Sequence, residues 1–140
     1  MKVLFVAGFG PIVPDDRLAE AAELYSDALG LSFQRTGEYL HTEDIEGVKH
    51  FALWPLSQAA ESCFGESRWP EDIPAPQGWL EFDVDDMHDA TEELKGRGYR
   101  LLVANRMEAW GQAVTRFLSP EGLLVGLAHT PWLREEGPEN

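Results

Sequence analysis

The chain has 140 residues, 44% of them hydrophobic and 26% charged, and its 25 acidic side chains outweigh the 11 basic ones to leave a formal charge of −14. That length suits one compact domain, and the apolar fraction is too high for a disordered chain. A chain so acidic is repelled by phosphate backbones and anionic lipid, which argues against nucleic-acid and membrane partners.

Residues 3–7 are branched and aromatic and are followed by Gly8, Gly10 and Pro11, which predicts a short buried strand. The apolar run ends too early for a signal peptide or a membrane span. From Asp16, read as an N-cap, Leu18, Ala21, Ala22, Tyr25, Ala28 and Leu29 recur at three- and four-residue spacing up to Gly30. This is the pattern of an amphipathic helix with a glycine stop. Residues 33–40 and 48–56 read as two strands joined through the polar segment 42–47, most simply as a hairpin. Residues 57–78 carry Pro70, Pro74 and Pro76 without a sustained period, so a surface linker is expected, beginning with a short helix. Residues 79–84 alternate as a strand, 86–95 read as a helix stopping near Gly96 and Gly98, and 99–104, 113–118 and 123–128 read as three more strands.

A strand, helix, strands unit of about 55 residues therefore occurs twice, with Leu29-Gly30-Leu31-Ser32-Phe33 and Arg97-Gly98-Tyr99-Arg100-Leu101 at matching places. The expected organisation is one domain over 1–134, with module one at about 1–57, a linker at about 58–78 and module two at about 79–130, followed by an acidic tail at 135–140. Cys63 is the only cysteine, so no internal disulfide can form, and a reducing cytoplasm is the expected location. Cys63 has no histidine near it in sequence and reads as a small semi-buried residue rather than a nucleophile.

Three segments carry a family resemblance: Leu24-Tyr25-Ser26-Asp27-Ala28-Leu29-Gly30-Leu31, Leu80-Glu81-Phe82-Asp83-Val84-Asp85-Asp86 and Leu118-Ser119-Pro120-Glu121-Gly122-Leu123-Leu124-Val125. In order and separation they resemble signatures of the vicinal oxygen chelate superfamily, which includes glyoxalase I, bleomycin-resistance proteins and extradiol dioxygenases. The resemblance implies an α+β fold of two βαβββ modules forming a curled sheet around a cleft, completed by a second copy in a homodimer. Strand alternation then sorts side chains by face. Trp79, Glu81 and Asp83 are expected toward the cleft and Leu80, Phe82 and Val84 toward the helices. His50, Ala52 and Trp54 are likewise expected toward the cleft, with Phe51 and Leu53 on the helix side. In the last strand Leu124, Gly126 and Ala128 take the cleft side.

The resemblance also implies where a metal would sit in metal-dependent members, at one cleft-facing His, Gln or Glu on each of four strands. Those positions fall at Gly8 or Phe9, at His50, at Trp79 and at Gly126. Only His50 can bind a metal, and one imidazole cannot hold a divalent ion, so no metal and no cofactor are expected. Other ligands are the less favoured alternative, since His41, Glu43 and Asp44 lie near one another in sequence and Glu81 can point inward; His41 and Glu43 read better as hairpin surface residues, their spacing matching no metal motif. His50 is either a hydrogen-bonding pocket residue or a packed strand histidine. Asp85 and Asp86 mark a helix N-terminus, where carboxylates accept backbone N–H bonds.

Five tryptophans in a chain of this length is high. Trp54 and Trp79 fall on expected cleft faces and Trp110 on a hairpin leading into a cleft strand, whereas Trp69 and Trp132 read as packing or dimer contacts. Flat, rigid aromatic walls suit a large apolar ligand and stack on planar or cationic groups; filling of a collapsed core is the other reading. The expected ligand-binding set is Phe9, His50, Trp54, Trp79, Glu81, Trp110 and Arg116, with His50 and Glu81 as candidate catalytic residues. The bleomycin-resistance branch is the nearest in kind. It implies a metal-free protein sequestering an aromatic natural product, neutral or cationic, and the alternative is a lyase, isomerase or oxygenase working in the same cleft.

Overall fold

The protein's computed structural model describes residues 1–134, and the acidic tail expected at 135–140 lies outside the described residues. Eight strands form one mixed sheet: β1 (Val3–Val13), β2 (Gln34–Thr36), β3 (Tyr39–Thr42), β4 (Phe51–Pro55), β5 (Gly78–Val84), β6 (Val103–Met107), β7 (Ala113–Leu118) and β8 (Leu124–His129). Their order is β2-β3-β4-β1-β5-β8-β7-β6. β1 pairs parallel with β4, β5 pairs parallel with β8, and β1 meets β5 antiparallel. The two halves of that order match strand for strand, as a duplicated βαβββ unit with a pseudo-two-fold axis between β1 and β5 requires.

Each module lays one helix on the same face of the sheet. α1 (Leu18–Ala22) follows a 3₁₀ turn at Asp15–Arg17 and runs on into a π-helical turn at Glu23–Ala28. Leu18, Ala21, Ala22 and Tyr25 pack on Val13, Leu40 and Leu53. These helix side chains are partly buried, so each contributes less than the roughly 1.5–3 kcal/mol of full burial, and it is their joint packing on the sheet that holds a helix too short to be stable alone. The helix expected to be regular up to Leu29 is widened at its end, where Leu29 N–H bonds to the Leu24 carbonyl and Leu31 N–H to that of Tyr25, until Gly30 turns the chain at φ 75°. Asp16 does not cap it. Asp15 instead accepts bonds from the Ser57 N–H and hydroxyl, at 2.9 and 2.5 Å. α3 (Met87–Gly96) is regular, with Asp86 as its cap accepting from the Asp89 N–H at 2.9 Å, and Ala90 and Leu94 packed on Val84 and Leu127.

Three expectations are corrected. β1 does not stop at residue 7 but continues through Gly8, Gly10 and Pro11. These glycines are points of close approach rather than turns: a Cβ on Gly8 would lie 2.7 Å from the Trp79 ring, and one on Gly10 would lie 2.0 Å from the Ala52 carbonyl oxygen. The strand expected over 33–40 is broken by a tight turn at Gly37-Glu38 into the hairpin β2-β3, so the longer segment 43–50 carries the chain from β3 to β4. The segment 57–78 begins with a helix as expected and is exposed over much of 65–77, but it is anchored in the core where a plain surface linker would not be. It opens with α2 (Leu56–Phe64), whose Ala59, Ala60 and Cys63 join Trp69 and Ile73 in a core on the face opposite α1 and α3, with Trp54, Trp79, Val114 and Leu124. Trp69 is pinned there by its indole N–H on the Ile73 carbonyl at 2.9 Å. Burial pushes the Cys63 thiol up to about 11, so it is protonated near neutral pH and supplies no nucleophile. Among the described residues, no helix is long and apolar enough to cross a membrane.

Candidate functional site

On the face away from α1 and α3, between the two modules, lies a cleft of about 490 Å³. Its floor is a row of residues paired across four strands: Gly8 on β1 faces Glu81 on β5, which faces Gly126 on β8, which faces Arg116 on β7. The two glycines explain the geometry of the two charges. A Cβ on Gly126 would lie 2.8 Å from Glu81 Cγ and 3.5 Å from Arg116 Nη1, so only a residue without a side chain lets Arg116 reach across β8 to Glu81. The guanidinium donates to Glu81 Oε2 at 2.8 Å and lies over the Trp54 ring at 5.0 Å, with only 1% of Arg116 exposed. Gln112 donates to the other Glu81 oxygen at 3.1 Å and to the Thr130 hydroxyl at 2.8 Å. The buried carboxylate is thus held on both oxygens, as a desolvated charge must be.

Aromatic side chains form the walls. Trp54 and Trp79 meet edge to face with ring centroids 6.2 Å apart, and the Trp79 N–H is fixed on the Ala52 carbonyl at 3.2 Å. Trp110 and Trp132 also line the cleft but are half exposed, 53% and 56%, so their ring faces stay available to a ligand. Trp110 is steered by its N–H on Gln112 Oε1 at 2.9 Å.

On the β3 side, Tyr39, His41 and His50 stack in one group. Tyr39 O–H lies 2.7 Å from His50 Nε2, and His50 Nδ1 lies 2.8 Å from Glu43 Oε2. Burial, and then the nearby Glu81 charge, push the Tyr39 phenol above its ordinary value. Tyr39 therefore stays protonated and donates, and the tautomer with hydrogen on His50 Nδ1 satisfies both neighbours. His41 is held below the ordinary histidine value by burial and by His50, against the pull of Glu43.

Most of the residues expected at the site come together. His50, Trp54, Trp79, Glu81, Trp110 and Arg116 all line the cleft. Phe9 does not: it is 44% exposed and points away from the row that Gly8 occupies, because neighbours along a strand face opposite sides. Asp83 is also displaced from its expected role. It is fully buried and holds the Thr130 N–H and hydroxyl, both at 2.8 Å, and Arg134 Nε at 2.7 Å, which makes it a structural anchor for the chain after β8. Trp132, expected in packing or dimer contacts, reaches the cleft because that anchored segment folds back over it. His41 and Glu43, read as hairpin surface residues, line the cleft as well. Tyr39, Gln112 and Thr130 were not anticipated. The two-residue spacing of Tyr39, His41 and Glu43 was the available signal for the first, whereas nothing local marks the other two.

The four positions at which metal-dependent relatives hold an ion do not fit one here. Gly8 and Gly126 offer no donor, Trp79 fills the space over Gly8, Glu81 fills the space over Gly126, and His50 is the one ligand left. Glu81 is already paired with a buried cation, Arg116.

Comparison with known proteins agrees with this architecture. Among curated proteins, none matches the chain. A glyoxalase/bleomycin resistance protein/dioxygenase superfamily member from Vibrio splendidus superposes with a TM-score of 0.61 at 14% identity, covering 89% of this chain and 97% of that one. The methylmalonyl-CoA epimerase from Mycobacterium tuberculosis has a TM-score of 0.55 at 21% identity, with 94% and 91% covered. The Streptomyces coelicolor methylmalonyl-CoA epimerase has 0.50 at 17%, with 91% and 97% covered. At such identities these neighbours speak for the fold alone. The family model described as Glyoxalase/Bleomycin resistance protein/Dioxygenase superfamily matches residues 6–127, both modules and the cleft between them, and the chain therefore belongs to that superfamily.

Proposed function

We propose that this chain is a small-molecule-binding protein that sequesters a flat aromatic natural product or antibiotic, neutral or cationic, without a metal at the four positions used by metal-dependent relatives. The observation that carries the reading is the aromatic lining: two buried tryptophans, Trp54 and Trp79, and two half-exposed ones, Trp110 and Trp132, line one cleft. A volume of about 490 Å³ lies in the drug-sized range of roughly 300–1,000 Å³. Arg116, the Lys or Arg side chain lining the cleft among the described residues, is paired with Glu81, and Glu43 adds a half-exposed carboxylate, so the cleft offers no unpaired guanidinium or ammonium to favour an anion. The formal charge of −14 attracts a basic ligand from a distance.

Titration with a panel of flat aromatic compounds is expected to quench tryptophan fluorescence saturably, and Trp110→Ala, at a half-exposed position, should weaken binding about tenfold, the order of loss for an aromatic anchor. No quenching across a broad panel would sink the proposal. A homodimer belongs to the same reading: Leu4, Val6 and Phe9 are all exposed apolar side chains on β1, and light scattering that finds only monomer would remove it. A cytoplasmic setting fits the single buried thiol.

A second reading, an enzyme acting on a small substrate with His50 and Glu81 as acid and base, is favoured by one observation. His50 is oriented by Glu43 on one ring nitrogen and by Tyr39 on the other, the arrangement that fixes a histidine for proton transfer. A His50→Ala variant that still quenches with ligand but loses turnover would support it.

A further inference from the structure

We infer that His41, Glu43 and His50 form a site for one borderline divalent transition-metal ion such as Zn²⁺ or Co²⁺, at the β3 side of the cleft, sharing only His50 with the superfamily's four central positions. The placement follows from the strand register. His41 and Glu43 are two residues apart and both line the cleft; His41 pairs with Ala52, so His50, two residues before Ala52, is its diagonal neighbour on the same face. Ligand atoms of the three side chains all lie within 4.8 Å of one another.

The surroundings of the two imidazoles point to a ligand. A metal-binding histidine holds its second ring nitrogen on a fixed partner, which sets the tautomer and the ring direction. Both rings here have such a partner on Nε2: the Thr36 hydroxyl at 3.2 Å from His41 and the Tyr39 hydroxyl at 2.7 Å from His50. What remains on each is Nδ1. His41 Nδ1 is buried and has no hydrogen-bond partner, which is rare for a buried polar atom. His50 Nδ1 shares a proton with Glu43 Oε2. An ion entering there displaces the Nδ1 proton, which passes through solvent to Nε2 with no net change in proton number; the imidazole stays neutral and donates from Nε2 to the Tyr39 oxygen, whose own hydrogen turns away from the ring. Two imidazoles and one carboxylate suit Zn²⁺, Co²⁺ or Ni²⁺ better than Mg²⁺ or Ca²⁺, which prefer all-oxygen shells. Three protein ligands leave coordination positions for a donor atom on whatever the cleft holds. The inference goes beyond the aromatic-ligand reading and does not depend on it.

Chelator-stripped full-length protein titrated calorimetrically with Zn²⁺ is expected to bind one ion per chain, and Co²⁺ to give a visible absorption band. Glu43→Gln, at a half-exposed position where folding is not at stake, should weaken binding at least tenfold, and His41→Gln or His50→Gln should abolish the Co²⁺ band. The exposed His88→Gln should change nothing. In the unmodified protein, Zn²⁺ should shift the imidazole NMR signals of His41 and His50 and leave that of His88 in place, a readout that does not rely on the variants folding. Absence of saturable binding overturns the inference. So does binding that survives Glu43→Gln and His41→Gln undiminished, since the ion is then held adventitiously by the acidic surface. Quenching by aromatic ligands is a separate readout, so failure here and failure of the proposed function are distinguishable.

Discussion

Replacing Arg116 by Met is expected to lower the unfolding free energy by about 3–5 kcal/mol, because it strands a buried carboxylate whose main partner was the guanidinium. The pair is shielded on both sides, with side-chain exposures of 1% for Arg116 and 11% for Glu81, so solvent cannot take over as it would at a surface pair. Glu81→Leu should cost a similar amount by stranding Arg116, whose Nε already lacks a partner and whose nearest other carboxylate, Glu108, is 3.8 Å from Nη2. The double variant should lose less than the sum of the two, by a coupling of about 1–3 kcal/mol, since it leaves neither charge alone. Urea titration of the four proteins measures this directly. Additive losses would mean that the two side chains act independently and that the row Gly8, Glu81, Gly126, Arg116 is not a unit.

Gly10→Ala should be nearly as damaging although it adds a single methyl group. The new Cβ would sit 2.0 Å from the Ala52 carbonyl oxygen and 3.0 Å from Trp79 Nε1. The first of these is backbone in the neighbouring strand and cannot rotate aside, so β1 and β4 must separate or the Trp79 bond to that same carbonyl must break. A loss of about 3 kcal/mol is expected, at the top of the overpacking range. Gly122→Ala makes a useful contrast: Gly122 has open space but a φ of 98°, so its cost is backbone strain of about 1–2 kcal/mol with no effect on the cleft. Thermal unfolding ranks the two, and a Gly10→Ala protein as stable as Gly122→Ala would refute the close approach of β1 to β4.

Much of the architecture was legible because it is written in local periodicity. Alternation along residues 79–84 separated Trp79 and Glu81 from Leu80 and Phe82, and the structure keeps that division. The same rule placed His50 and Trp54 opposite Leu53. The rule failed where one residue serves a distant one. Gly8 and Gly10 resemble turn glycines until the Trp79 ring is seen to occupy the space above them. Ala59, Ala60 and Cys63 lack the bulk that marks a buried helix, yet small residues are what allow α2 to lie close on the sheet.

The chain by itself determined a repeated strand, helix, strands plan, the two faces of its inner strands and three of the cleft tryptophans, Trp54, Trp79 and Trp110, because a strand's period of two and a helix's period of three to four depend only on neighbours in sequence. Only the tertiary structure decided what the polar residues do. Glu81 and Arg116 are partners because Gly126, on the strand between them, has no side chain. Asp83 became an anchor and left the cleft because Thr130 and Arg134 return to it across the sheet. His41, Glu43 and His50 converge because β3 and β4 pair in a register that sets them diagonally on one face. Such contacts depend on which strands are adjacent and in what register, and no local pattern encodes that choice.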